Sequence, residues 1–116
     1  MKNIFIIALA MLFSFTSCQS QTSKNVQTIE AKAFAEKIKN TPNAQILDVR
    51  TPQEFARDHI ENAKNINWLN ADFATNATTL DKTKPVFVYC KAGSRSNKAA
   101  AKLAEMGFTT IYDLQG

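Results

Sequence analysis

The sequence predicts an α/β domain, a parallel β-sheet flanked by helices on both faces. Strand-like and helix-like segments alternate from Val26 onward, the order in which parallel strands are joined through helices. One strand, Pro85-Val86-Phe87-Val88-Tyr89, is apolar throughout, as a strand buried on both faces must be. With 116 residues, 45% of them apolar, the chain holds enough for one packed core.

Each element has its own signal. Residues 26–29 form a short strand, after which Ala31, Phe34, Ala35 and Ile38 recur at i, i+3, i+4 and i+7 and line one face of a helix. Residues 45–49 are a β-rich run that ends in Asp48 and leads to Arg50. Thr51-Pro52-Gln53-Glu54 starts a helix: threonine caps, proline suits the first helical position, and glutamate three residues after the cap reaches back to its amide. Residues 65–67 predict another strand, and Phe73, Ala77 and Leu80 a loose helical stretch. After the apolar strand, residues 94–106 carry Ala99, Ala100, Leu103 and Met106 at helical spacing, with Gly107 placed to stop the helix. Residues 109–112 return to strand. There is no internal repeat and no second linker.

The first residues stand apart from this pattern. Lys2 supplies a positive start, residues 4–15 are a short apolar run, and Thr16-Ser17-Cys18 brings small residues up to a cysteine. That order marks residues 1–17 as an export signal peptide, its apolar run too short for a permanent span. Ending in cysteine, it resembles the bacterial lipoprotein box, which implies that Cys18 is lipidated, the protein exported, anchored to a bacterial membrane and facing the periplasm. The polar residues up to position 25 read as a tether, leaving 26–116 as the domain.

The net charge of +4 is spread among alternating acids and bases, with no basic run and no interleaved aromatics, so no nucleic-acid partner is expected. The chain has two cysteines. With Cys18 lipidated, Cys90 has no partner in the chain, and a lone thiol in an oxidising compartment calls for a reason such as reactivity.

Between the strand ending at Tyr89 and the helix starting near Ser94 or Arg95 the backbone turns sharply, Gly93 tolerating dihedrals closed to other residues. The amides of such a loop point inward to one spot, the Cys90 sulfur. Those amides, the positive end of the following helix, and the charges of Lys91 and Arg95 all favour thiolate over thiol. The same cradle binds an anion, and a reactive site is expected at the carboxyl ends of parallel strands.

Cys90-Lys91-Ala92-Gly93-Ser94-Arg95-Ser96 resembles the active-site loop of the rhodanese family of single-domain sulfurtransferases. Three further segments match in order: Asp48-Val49-Arg50 with Glu54-Phe55; His59-Ile60 with Ala63 and Ile66; and Gly107-Phe108 through Tyr112-Asp113-Leu114 and Gly116. The resemblance implies sulfur transfer in two steps. The Cys90 thiolate takes the outer sulfur of a small anionic donor such as thiosulfate, releasing sulfite, and the persulfide passes that sulfur to cyanide or a thiol acceptor. Lys91, Ala92, Gly93, Ser94, Arg95 and Ser96 are the binding loop, Lys91 and Arg95 drawing in the donor's negative charge. No metal and no organic cofactor is required.

Two other readings stand beside this one. A cysteine phosphatase uses a similar cradle with a longer loop, whereas four residues separate Cys90 from Arg95 here, and no aspartate is placed as general acid for a leaving alcohol. A non-catalytic rhodanese module that binds a partner or carries persulfide is the other. Around the loop, Asp48, Arg50, Glu54 and His59 read as structural support. Arg50 is expected to pair with Glu54 across the helix start, Asp48 to accept amide hydrogen bonds from loops, and His59 to make a structural hydrogen bond. Ser96 and Asn97 are expected to serve loop and helix hydrogen bonds, and Trp68 to line core or pocket. Asp58 and Asn62 stand where the family has glycines, and both tolerate left-handed conformations. The family continues past the last glycine into a closing helix that this sequence lacks, which would leave some apolar sheet surface wet, at about 25 cal/mol per Å².

Overall fold

The structure, a computed structural model, describes residues 25–116. The expected signal peptide, Cys18 and all of the tether but Asn25 lie outside the described residues. Five strands, β1 (Val26–Ile29), β2 (Gln45–Asp48), β3 (Lys64–Asn65), β4 (Val86–Tyr89) and β5 (Ile111–Leu114), form one sheet in the order β1-β5-β4-β2-β3, every pairing parallel. Four helices connect them: α1 (Ala31–Lys39), α2 (Pro52–Arg57), α3 (Phe73–Ala77) and α4 (Ser94–Glu105).

β4 is the middle strand and all four of its residues are buried. Its side chains alternate between the two faces, as a pleated strand requires. Val86 and Val88 join Leu47, Val49 and Ile111 under α3 and α4, which contribute Phe73, Ala77, Ala99, Ala100 and Leu103. Phe87 and Tyr89 turn the other way, to Ile46 and to Phe34 of α1. There the Phe34 ring meets Phe87 edge-on at 5.7 Å, and Tyr112 stacks on Phe87 at 5.1 Å. This second face is thinner: Ile29, Ile38, Tyr112 and Leu114 are only half-buried.

Several boundaries shift from the sequence expectation. The third strand is Lys64–Asn65 rather than 65–67, because parallel pairing with β2 ends at Asp48. The last strand is Ile111–Leu114 rather than 109–112, because its register is set by pairing with β4 and β1. The expected stretch through Leu80 is helical only over Phe73–Ala77, after which turns take over. In α1, Phe34 alone is buried and Ile38 is half-buried, while Ala31 and Ala35 are exposed: the helix touches the sheet through one narrow line. The start of α2 is as predicted, with Thr51 Oγ1 accepting from the Glu54 amide and the Glu54 carboxylate accepting from the Thr51 amide. Asn62 adopts the left-handed conformation at φ 69°, whereas Asp58 is extended at φ −170°, so only one of the two positions uses that freedom.

Candidate active site

Cys90 follows β4 at the carboxyl end of the sheet, beside the end of β2, where the Val49 amide donates to the Tyr89 carbonyl at 3.1 Å. The chain then turns through Lys91 and Ala92 to Gly93, which caps α4 with φ 94°. A side chain is disfavoured at Gly93 on two counts. The dihedral is one that L-residues rarely adopt, and a Cβ would lie 3.3 Å from the Gly116 amide nitrogen.

This turn aims amides at the sulfur. The Gly93 amide donates to Cys90 Sγ at 3.1 Å and the Ser96 amide at 3.2 Å. Burial pushes the half-buried thiol up, but hydrogen bonding by Ser96 and by the amides of Gly93 and Ala92 outweighs it and brings the thiol below its ordinary value. The Ser96 hydroxyl lies 2.6 Å from the Asp113 carboxylate, which holds its one proton, so the backbone amide is the contribution Ser96 keeps for the sulfur. The positive end of the twelve-residue α4 faces the sulfur too, with no acid in its first turn to offset it.

Arg95 and Glu54 form a two-pronged pair at 2.8 and 3.2 Å, joining α4 to α2. Arg95 and the capping bonds from Thr51 lower the Glu54 carboxyl to about 2. This corrects the expected Arg50–Glu54 pair. The capping box turns the Glu54 carboxylate back over the start of α2, where Arg95 meets it. Arg50 instead closes on Asp48, two residues before it, through Nε at 3.0 Å and Nη2 at 2.8 Å, and reaches the Asp58 carbonyl at 2.7 Å. Arg95 therefore stands within the field of Cys90 with much of its charge already matched, and Lys91 and Ser94 are exposed.

Asp48, fully buried, also binds the Tyr89 hydroxyl at 2.8 Å, and that hydroxyl accepts from the Ile60 amide at 3.0 Å. Of the amides expected around Asp48, one is present among the described residues, from Arg50 at 2.9 Å. Burial, with the Asp48 carboxylate beside it, pushes Tyr89 up to about 12, and bonding to Asp48 raises Arg50 further. This cluster ties the ends of β2 and β4 together next to the point where the chain leaves β4 for Cys90. His59 is exposed, with Nδ1 2.9 Å from the Phe55 carbonyl and its ring stacked on Phe55 at 3.9 Å. Trp68 packs edge-on against Phe73 at 5.0 Å, on the cluster that also touches Cys90.

One residue beside the site was not singled out by its chemistry in the sequence: Asp113. Only 1% exposed in β5, it accepts from Ser96 Oγ at 2.6 Å and from Asn97 Nδ2 at 2.9 Å. The signal was an acid at a core-facing position of a strand, between Ile111 and Leu114.

A half-buried thiol at the end of the central parallel strand, met by main-chain amides and a helix start that bring it below its ordinary value, defines a cysteine-loop protein. The family profile of the rhodanese-like domain matches residues 30–116, and the chain belongs to that family. It is 38% identical over 80 residues to the thiosulfate sulfurtransferase GlpE of Pseudomonas putida, covering 68% of this chain and 70% of that one. It is 42% identical over 73 residues to the Bacillus subtilis protein YqhL, 63% of this chain, and spans 56% of that protein's length. Among solved structures it is similar to the polysulfide-sulfur transferase homodimer of Wolinella succinogenes, with a TM-score of 0.64 and 26% identity over 92% of this chain and 81% of that one.

Proposed function

We propose that the protein is a sulfurtransferase of the thiosulfate type, with Cys90 as the sulfur-carrying nucleophile. The observation that carries the reading is the pair of amide bonds to Sγ, from Gly93 at 3.1 Å and Ser96 at 3.2 Å, at a thiol still partly open to solvent. In the first half-reaction the thiolate attacks the outer sulfur of thiosulfate. The new S–S bond forms as the old one breaks, and sulfite leaves with the bonding electron pair. In the second, cyanide or an acceptor thiolate attacks that outer sulfur and Cys90 leaves as thiolate, so no net oxidant or reductant enters. The persulfide moves the negative charge one atom outward. Among the described residues the first-turn amides of Ser94 and Arg95 have no partner, which suits them to the outer sulfur or the arriving anion. The likeness to a thiosulfate sulfurtransferase and a polysulfide-sulfur transferase supports the same chemistry.

Mass spectrometry of the full chain after exposure to thiosulfate tests this. One added sulfur atom, removed by cyanide and absent in Cys90→Ser, is the expected result. A chain that takes up no sulfur under these conditions fits the non-catalytic module instead.

The reading extends to the start of the chain, where the positive residue, apolar run and Cys18 support export and lipid attachment with the domain on the periplasmic side. Radioactive palmitate should label the wild type and not Cys18→Ala. Equal label in both removes the anchor.

A further inference from the structure

Asp113 is a buried carboxylate with no cation against it among the described residues. Its partners among the described residues are neutral donors: Ser96 Oγ at 2.6 Å, Asn97 Nδ2 at 2.9 Å and Thr28 Oγ1 at 3.4 Å. A carboxylate withdrawn from water without a counter-ion is destabilising unless its hydrogen bonds are strong and well placed. Two of the three come from consecutive residues in the first turn of α4, and the amide of the first of them, Ser96, is one of the two that meet Cys90 Sγ. That helix has no side-chain cap of its own: Gly93 occupies the cap position. Its first turn is held instead from the strand beneath it, where Asp113 is paired in register with Val88 of β4.

We propose that Asp113 is a positioning residue for Cys90: by gripping Ser96 and Asn97 from β5, it fixes the first turn of α4 so that the Ser96 amide stays on the sulfur. Asp113 is not hydrogen-bonded to the sulfur and acts through Ser96. The inference builds on the sulfurtransferase reading, yet concerns only the state of the thiol and can be tested without turnover. The charged groups around the sulfur are Asp113 behind Ser96, Arg95 and, beyond it, Glu54 and Arg50, with the exposed Lys91 next to Cys90 in the chain.

Two physical effects of removing Asp113 have opposite signs. Loss of a nearby negative charge favours thiolate, whereas loss of the Ser96 amide disfavours it. Asp113→Ala removes both charge and grip. Asp113→Asn removes the charge alone, since a carboxamide can accept from Ser96 and donate to Asn97 once the Asn97 amide turns over.

The experiment follows the pH dependence of iodoacetamide alkylation of the full chain carrying Cys18→Ala, so that Cys90 is the only thiol. Asp113→Ala is expected to raise the apparent thiol pKa by about one unit and to slow alkylation near neutral pH about tenfold, with Asp113→Asn returning most of that loss. Ser96→Ala cuts the same link from the other end, and the rise is expected there too, with the double variant Asp113→Ala, Ser96→Ala no worse than either single change. It also covers the case in which Asp113→Ala fails to fold. A thiol pKa that is unchanged or lower in Asp113→Ala and Ser96→Ala overturns the proposal, as does equal behaviour of Asp113→Ala and Asp113→Asn. A wild-type chain that takes no sulfur from thiosulfate, while its Cys90 still responds to these changes as expected, sinks the sulfurtransferase reading and supports the positioning role.

Discussion

At Cys90 two opposing effects meet. Partial burial favours the neutral thiol, and amides aimed at the sulfur favour the anion; hydrogen bonding by Ser96 and by the amides of Gly93 and Ala92 wins, because these are fixed dipoles close to the sulfur. The balance depends on Gly93, whose left-handed backbone aims its own amide and begins α4. Gly93→Ala must relieve about 1–2 kcal/mol of left-handed strain and move clear of the Gly116 backbone. The loop will shift to do so, and the sulfur will lose a donor. Loading of Cys90 from thiosulfate, followed by stopped-time mass spectrometry, is expected to slow at least about tenfold, with the melting temperature changing by only a few degrees. An alanine variant that loads at the wild-type rate contradicts this account of the turn.

Between elements, the bond from Glu54 to Arg95 matters most, because it holds α2 against the start of the helix that carries the loop. Both side chains are about one-fifth exposed, so solvent screens the pair and its effect on stability is modest. The sign with pH follows from Glu54. Its carboxyl lies at about 2 in the folded chain against an ordinary 4.5, so the stabilisation is fully present above 4.5 and fades as pH falls toward 2. Glu54→Gln is expected to melt about 3 °C below wild type at neutral pH, a gap that narrows between these two values. Thermal melts of both proteins across that range check it, and a gap that widens in acid is the contrary result.

The molecule as a whole is a sheet covered unequally. One face lies under α3 and α4 and joins twelve buried residues into one cluster, while the other buries four. On the smaller face Phe87 is the keystone: fully buried on the central strand, it touches both Phe34 and Tyr112. Phe87→Ala is expected to cost about 3–4 kcal/mol in urea unfolding, a large share of the 5–15 kcal/mol that holds a domain together. Because Phe87 turns away from the face that carries Asp113 and α4, chain that remains folded should alkylate at Cys90 as wild type does. A cost below about 1 kcal/mol indicates a face that repacks readily.

The features legible in the sequence are those whose causes lie within a few residues of one another. The capping box at Thr51 and Glu54, the apolar run of β4, the spacing of α4 and the glycine turn after Cys90 are of this kind, and together they pointed to the type of fold and to a sulfur met by loop amides. What waited for tertiary structure was the choice of partners. Arg50 had Glu54 within reach in sequence but closed on the buried Asp48, while Glu54 found Arg95 forty-one residues away. Asp113 met Ser96 across seventeen residues, through strand register that spacing does not encode. Local geometry is set by backbone dihedrals and nearest neighbours, whereas a carboxylate's partner is set by which strand ends and helix starts the packed core brings together.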